Sequence, residues 1–404
     1  MDKVSIEKAL VKARELVSSL ESFDGTTAQH YELLGRVDGV RDSLEQPYDK
    51  GIHWFEGTTV SAALNILVRI GAYKHIPTDG SSITAADLAA KCGVDTSVTS
   101  RVLHVTVNKG IFEETGPGEY KHNELSLAYG PDFLGGFLDV CNELTKAWIC
   151  LPDYFKTHTP EDLYDPKKTP VAFANGREGK TYYEVIGEDP ERRRLWNLTM
   201  ENMQKNFPII GMFPFKDLEP LVKAESERPI LIDVAGGRGQ ALKAIRNHCG
   251  DVFDGRLILQ DLPIVIDSLN PEDLPGVQLM AQDIFIPQAV KNSDAHVYFL
   301  RRILHDYYDP AVVEILKNTA SAMGPDSRLV ICDMLLPDRT KVGGNMTLWW
   351  LDLSLLGIGG KERSMSDFER VLDASGLELI KLYKDGSSDV VMLETRLKRD
   401  GGAK

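Results

Sequence analysis

The chain has 404 residues, 43% hydrophobic and 26% charged, an ordinary balance for a globular protein with room for two or three domains. Its 60 acidic against 46 basic side chains give a formal charge of −14, which argues against a phosphate backbone or an anionic membrane as partner. Five scattered cysteines without a CxxC pair argue against a disulfide framework or a zinc knuckle and suit the reducing cytoplasm. The charged start MDKVSIEKALVKARELVSSL does not read as a secretion signal, and no apolar run reaches the roughly 18 residues of a bilayer span.

To about residue 220 the chain reads as mainly helical. Apolar residues recur every three or four positions over residues 4–20 and again over 60–73, VSAALNILVRIGAY. ITAADLAAKC predicts a short helix N-capped by Thr84, with Asp87 completing a weak capping box. VTSRVLHVTVNKG predicts a second helix, and IFEETGPGEYKHN a hairpin that turns at GPG. This is a winged-helix order, and its obvious use is DNA binding. Here Lys91, Arg101, Lys109 and Lys121 are outweighed by Asp87, Asp95, Glu113, Glu114 and Glu119, so the segment neutralises phosphates poorly. A scaffold or dimerisation role is the better expectation.

After the polar KAESERP, residues 223–229, the texture changes. Strand-like runs PILIDV, RLILQ, GVQLMA, AHVYFL and RLVICDM alternate with helical segments, which predicts an α/β domain with a mainly parallel sheet covered on both faces. LELIKLY and DVVMLETR, joined by KDGSS, predict a closing hairpin and one antiparallel strand.

Such sheets bind ligands beyond the carboxyl ends of their strands. The first strand runs into DVAGGRGQAL, where Gly236, Gly237 and Gly239 allow a tight turn whose amides can face a ligand. The turn matches neither the GxGxxG dinucleotide fingerprint nor the GK[ST] of a P-loop. Asp233, inside the strand, is placed to hold the turn's amides or to face a cationic ligand. Asp261 ends the second strand, 22 residues after Gly239, where a carboxylate can accept both hydroxyls of a ribose. Asp283 follows the third strand as an acceptor for an adenine amino group, with Phe285 as an aromatic face. Any one of these acids also reads as a strand-end cap; three in register read as a nucleoside site. Past the fourth strand, in LRRILHDYYDP, His305 is either a working base or a packed core histidine.

The run DVAGGRG…QDLP…AQDIF…LRRILHDYYDP…ICDMLLPD…GGKERS resembles the plant and fungal class of S-adenosylmethionine-dependent O-methyltransferases, of the caffeic acid and hydroxyindole type, and especially their fungal secondary-metabolism branch. The resemblance implies a seven-stranded, Rossmann-like catalytic domain over residues 221–404. Residues 1–220 would form a helical and winged-helix domain that dimerises the chain and covers the acceptor. It implies S-adenosyl-L-methionine as cofactor, no metal, a homodimer, and a small hydroxylated acceptor, phenolic or enolic. Asp233, Gly236, Gly237, Asp261, Asp283 and Arg301 would line the cofactor pocket, Arg301 standing where relatives usually have Lys. Met200, in LWNLTMENMQ, matches a methionine that covers cofactor and acceptor, and reads equally as a core residue. His305 would be the general base, oriented by Asp333 and Glu362, 28 and 57 residues further on. An imidazole base matters because a phenol of pKa about 10 is mostly protonated at neutrality; such bases are worth roughly 10²–10⁴-fold.

Two departures stand out. Ala235 occupies the first position of the family's usual GGG, and Gly357 a position that often holds a polar acceptor contact. Two other functions share this fold: a pericyclase or dehydratase that binds the cofactor without methyl transfer, and a non-catalytic dimeric scaffold. The intact His, Asp and Glu set argues against both. Trp349, Trp350, Leu351, Leu355 and Leu356, with Phe133, Phe137 and Trp148, are candidate acceptor-pocket residues that read more simply as core or dimer interface.

Overall fold

A computed structural model of the chain describes residues 3–204, 207–225, 227–288, 295–385 and 388–399. By its contacts the chain divides into two compact units. The first is Met1–Lys146 with Ile186–Asn202 and Lys341–Gly344, and the second is Ala147–Val185 with Met203–Thr340 and Asn345–Lys404. Residues 147–185 thus group with the C-terminal sheet, whereas a single cut at residue 220 assigns them to the N-terminal half.

In the first unit, α1 (Lys3–Glu21) pairs with α2 (Thr27–Leu44), whose N-terminus is capped by Thr26 accepting from the Gln29 amide. α3 (Pro47–Arg69) begins with proline, where no helical N–H is needed. Then come β1 (Ile83–Thr84), α4 (Ala85–Cys92), α5 (Thr96–Asn108), β2 (Phe112–Gly116) and β3 (Glu119–His122). The strands pair antiparallel in the order β1-β3-β2, completing the winged-helix arrangement expected from the spacing. Thr84 Oγ1 accepts the Asp87 amide at 3.0 Å, but the Asp87 carboxylate takes the Thr84 hydroxyl at 2.7 Å, so only half of the capping box forms. Leu64 and Leu67 of α3 pack with Leu88, Leu103, Phe112 and Tyr120. Leu10, Val17, Leu20, Leu34, Val37 and Trp54, on α1 to α3, are exposed. Beyond α6 (Glu124–Ala128), α7 (Leu134–Tyr154) leads into the second unit, which holds α8 (Pro170–Ala174). α9 (Tyr182–Gly187) precedes α10 (Pro190–Gln204), where Arg192 pairs with Glu143 of α7.

In the second unit, α11 (Glu219–Ala224) precedes β4 (Leu231–Val234), α12 (Gln240–Cys249), β5 (Leu257–Asp261), α13 (Pro263–Ile266), β6 (Val277–Ala281) and β7 (Val297–Arg301). α14 (Asp309–Ala320), β8 (Arg328–Leu336), α15 (Met346–Ile358), β9 (Arg363–Ser364), α16 (Met365–Ala374), β10 (Leu377–Lys384) and β11 (Val390–Leu397) follow. The strand order is β10-β11-β8-β7-β4-β5-β6, with short β9 paired to the end of β8. The strands from β6 to β8 are parallel, and β11 joins antiparallel to β8 and β10. Residues 386 and 387 of the expected hairpin connection lie outside the described residues.

Strand periodicity explains why both faces are covered. Leu231, Leu257, Leu259, Val297 and Phe299 face α12 and α15, while alternating Ile232, Ile258, Tyr298 and Leu300 face α14 and α16. Each fully buried aliphatic side chain contributes roughly 1.5–3 kcal/mol. Truncating Leu316 of α14 to Ala would open a cavity costing about 2–5 kcal/mol. Register then does the positioning: Asp233 pairs with Leu259 and Phe299, and Arg301 with Cys332, so the parallel strands end along one edge.

Candidate active site

The glycine turn after β4 sits at that edge. Ala235 has φ +56 and Gly237 φ +59, left-handed values that any side chain resists. A Cβ at Gly236 would lie 2.4 Å from both Asp233 Oδ2 and Leu259 Cδ1, so glycine is required there for packing, whereas nothing lies within 4 Å of one at Gly237. The turn's amide is held by Asp261 rather than by Asp233: Asp261 Oδ2 accepts Gly237 N–H, and Oδ1 accepts Leu262 N–H, both at 2.8 Å. Burial raises the Asp261 pKa, and these two amides offset part of that.

Asp233 is 1% exposed and its Oδ2 has no hydrogen-bond partner. Burial pushes its pKa up to about 7, against the opposing pull of the Arg301 guanidinium. Asp283 stands two residues past β6, where its Oδ1 accepts Phe285 N–H at 2.9 Å, and the Phe285 ring meets Tyr307 edge-on at 5.3 Å. Burial, and after it the charges of Asp306, Asp283 and Asp261, raise the pKa of the Tyr307 hydroxyl. Arg301 Nη2 donates to the Phe207 carbonyl at 3.2 Å. Met200 is half-buried on α10, which belongs to the first unit.

His305 occupies a single helical turn, Leu304–Asp306, just beyond β7, and is 5% exposed. Pairing of β9 with β8 (Leu335 with Arg363) carries Glu362 back to this edge across 57 residues. There Oε1 of Glu362, itself 1% exposed, lies 3.0 Å from His305 Nδ1. The Lys361 N–H donates to the His305 carbonyl at 2.8 Å, and a Cβ on Gly360 would come within 2.3 Å of that same oxygen. Glycine at 360 therefore lets the two segments touch. Arg363 clamps the loop: its buried guanidinium donates to the carbonyls of Leu304 and Tyr307 at 2.8 and 2.7 Å, and to Asp309 Oδ1 at 2.8 Å.

On the other side of the ring, Nε2 is 3.6 Å from Asp306 Oδ1, whose Oδ2 accepts the Tyr183 hydroxyl at 3.0 Å. Burial lowers the proton affinity of His305, as does the Arg302 guanidinium. Glu362 and Asp306 raise it, and the net shift is upwards. Asp333, 1% exposed, makes no hydrogen bond to the ring: both of its oxygens lack a partner. Burial pushes Asp333 up to about 7, the charge of His305 opposing that rise. Of the two acids expected to orient His305, Glu362 bonds the ring directly, whereas Asp333 acts on it only through its charge, and the adjacent Asp306 is a third acid beside the ring.

Sequence reasoning missed Tyr183, Arg302, Asp306, Tyr307, Gly360 and Arg363. Tyr307, Asp306 and Arg363 stand inside the quoted motifs and were legible as polar or aromatic neighbours of chosen residues. Tyr183 carried no signal. Gly357 is buried, and a Cβ there would make ordinary contacts with Val171 and Ala147 at 3.4 and 3.5 Å. Leu351 and Leu355 are buried, and Trp349 and Trp350 pack against the core, the simpler of the two readings for that helix.

Comparison with known proteins gives the family. Residues 157–378, more than half the chain, match the model of the O-methyltransferase domain, and residues 52–131 match the O-methyltransferase dimerisation domain. "O-methyltransferase hmp5" of Hypomyces subiculosus is 36% identical over 393 residues, covering 96% of this chain and 97% of that one. The crystal structure of OxaC with SAH and oxaline superposes with a TM-score of 0.83 at 25% identity, covering 98% of this chain and all of that one. "A Pericyclic Reaction enzyme" superposes at 0.76 with 24% identity over 97% of this chain and 100% of its own, a likeness of fold alone. The domain matches and the fungal relative agree with the motifs: the chain belongs to the S-adenosylmethionine-dependent O-methyltransferase family, in its fungal secondary-metabolism branch.

Proposed function

We propose that this enzyme methylates a phenolic or enolic hydroxyl of a small secondary metabolite, with His305 as the general base. The buried hydrogen bond between His305 and Glu362 carries the reading. A carboxylate on Nδ1 fixes the ring and the tautomer, leaving Nε2 to take the acceptor's proton, and it stabilises the imidazolium that forms. Asp333 adds a second acid near the ring without touching it.

The cofactor site fits its ligand on this chain's own features. An unpartnered, buried Asp233, an Asp261 tied to the glycine turn, and an acid beside Phe285 and Tyr307 suit a ligand with a positive charge, ribose hydroxyls and an adenine ring. S-adenosylmethionine, when bound, supplies a methyl group on a sulfonium with a good leaving group. Asp233, Gly236, Gly237, Asp261, Asp283, Phe285 and Arg301 would hold it. Asp261→Ala should weaken S-adenosylhomocysteine binding by about 1.5–3 kcal/mol for each charge-assisted bond lost. Unchanged affinity in a folded variant would remove Asp261 from the site.

Two further readings go with this one. The exposed apolar residues of α1 to α3, in a chain that carries a dimerisation domain, support a homodimer, which light scattering tests by finding twice the chain mass. Free cysteines, and the absence among the described residues of any helix long and apolar enough to cross a membrane, support a cytoplasmic enzyme. The direct test of function is incubation with S-adenosylmethionine and a panel of phenols. A product heavier by one methylene supports the reading, and turnover of a substrate without mass gain favours the pericyclase alternative.

A further inference from the structure

Arg302 is one of two non-glycine residues with positive φ among the described residues, at +55. Strained backbone of this kind gathers at functional sites. Its N–H donates to the Cys332 carbonyl at 2.9 Å, which fixes the residue just past the end of β7, against the middle of β8 next to Asp333. Its guanidinium lies over the Phe207 ring, 4.0 Å from the centroid. Stacking holds a guanidinium by its plane and leaves its N–H edge available. Nη1 is buried without a hydrogen-bond partner, while the residue as a whole is part-exposed.

Arg301 next to it serves the other side, bonding the Phe207 carbonyl and acting on Asp233. Arg302 acts on His305 and Asp333. Asp333 does not supply a full counter-charge, because burial keeps it protonated up to about 7. A buried donor left without an acceptor is costly, so the working partner of Nη1 is an anion brought in from outside.

We propose that Arg302 is the anion contact for the acceptor, and that the enzyme prefers acceptors with a carboxylate or enolate oxygen beside the hydroxyl to be methylated. Ortho-hydroxybenzoates are the simplest of this class. In such a molecule the carboxylate holds the phenolic proton internally. A guanidinium that takes the carboxylate frees that proton for His305. The inference rests on the methyl-transfer reading above and deepens it.

The test is calorimetric titration of the protein loaded with S-adenosylhomocysteine, using salicylate and methyl salicylate as probes. Wild type should bind salicylate roughly 10- to 100-fold more tightly than the ester, as expected for a charge-assisted contact. Arg302→Met should abolish that preference while leaving the affinities for ester and S-adenosylhomocysteine unchanged. Arg302→Lys, a milder change, should keep part of the preference. The inference is overturned by a wild type without preference, by a preference that survives in Arg302→Met, or by weakened S-adenosylhomocysteine binding, which would assign the guanidinium to the cofactor. If Arg302→Met does not fold, equal losses for both probes in Arg302→Lys overturn it as well. Methyl transfer is scored separately by product mass. Preference without methylated product counts against the functional reading, and methylation without preference against Arg302 alone.

Discussion

Glu362 Oε1 lies 3.0 Å from His305 Nδ1, and both side chains are shut away from water. Glu362→Gln keeps the size and removes the charge, which should lower the rate by about 10- to 100-fold, the worth of a charge-assisted hydrogen bond of roughly 1.5–3 kcal/mol. Since Glu362 raises the proton affinity of His305, its neutralisation should also move the acid limb of the kcat/KM profile to lower pH. An unmoved limb would mean that the carboxylate does not act on the base.

Asp333→Asn should behave differently. Its folded pKa of about 7 lies above the roughly 3.9 of an unfolded aspartate, so the fold holds this proton more tightly than the unfolded chain does. The stability it contributes is present below pH about 4 and is lost as pH rises through about 7. Asparagine removes that loss. In urea unfolding the variant should match or exceed wild type at pH 8, with its advantage gone at pH 4. It should also lose less activity than Glu362→Gln, having given up no hydrogen bond to the ring. Equal destabilisation at both pH values would contradict this account.

The glycine turn tests a departure visible in the sequence. Ala235 sits at φ +56, a left-handed conformation that costs a side chain about 1–2 kcal/mol. Ala235→Gly relieves that strain, but frees the unfolded chain by roughly 0.4–1 kcal/mol, so thermal stability should hold or rise slightly. Gly236→Ala should instead cost about 1–3 kcal/mol through overpacking against Asp233 and Leu259. If both substitutions were neutral, the turn would not be as tight as described.

Arg363→Met removes the clamp on the loop of residues 304–309. Asp309 keeps Arg370 at 3.0 Å and stays partly exposed, so the loss should fall at the lower end of the roughly 3–5 kcal/mol for breaking a buried pair. Activity measured well below the melting temperature should fall as well, because the loop carries His305. Full activity in a destabilised variant would limit Arg363 to a structural role.

The alternation of strand-like and helical runs gave away the sheet, and the turn chemistry at GPG and KDGSS the hairpins, because both patterns are local. Asp233, Asp261 and Asp283 were legible as strand-end acids for the same reason. Which acid holds the turn was not, because the strand ends place Asp261, not Asp233, opposite the Gly237 amide. Asp333 and Glu362 look equivalent in sequence. Only the short β8–β9 pairing separates them, bringing Glu362 onto Nδ1 and leaving Asp333 without a partner. Tyr183 reaches Asp306 across 123 residues, a contact that no local pattern announces.

The central claim is that His305 removes the acceptor's proton, and His305→Gln tests it most directly. The variant should bind S-adenosylhomocysteine like wild type and methylate a weakly acidic phenol about 10²–10⁴-fold more slowly. The deficit should shrink for acidic phenols, which ionise without help. If the folded variant binds S-adenosylhomocysteine normally and methylates the weakly acidic phenol at the wild-type rate, His305 is a packed histidine and the mechanism is wrong.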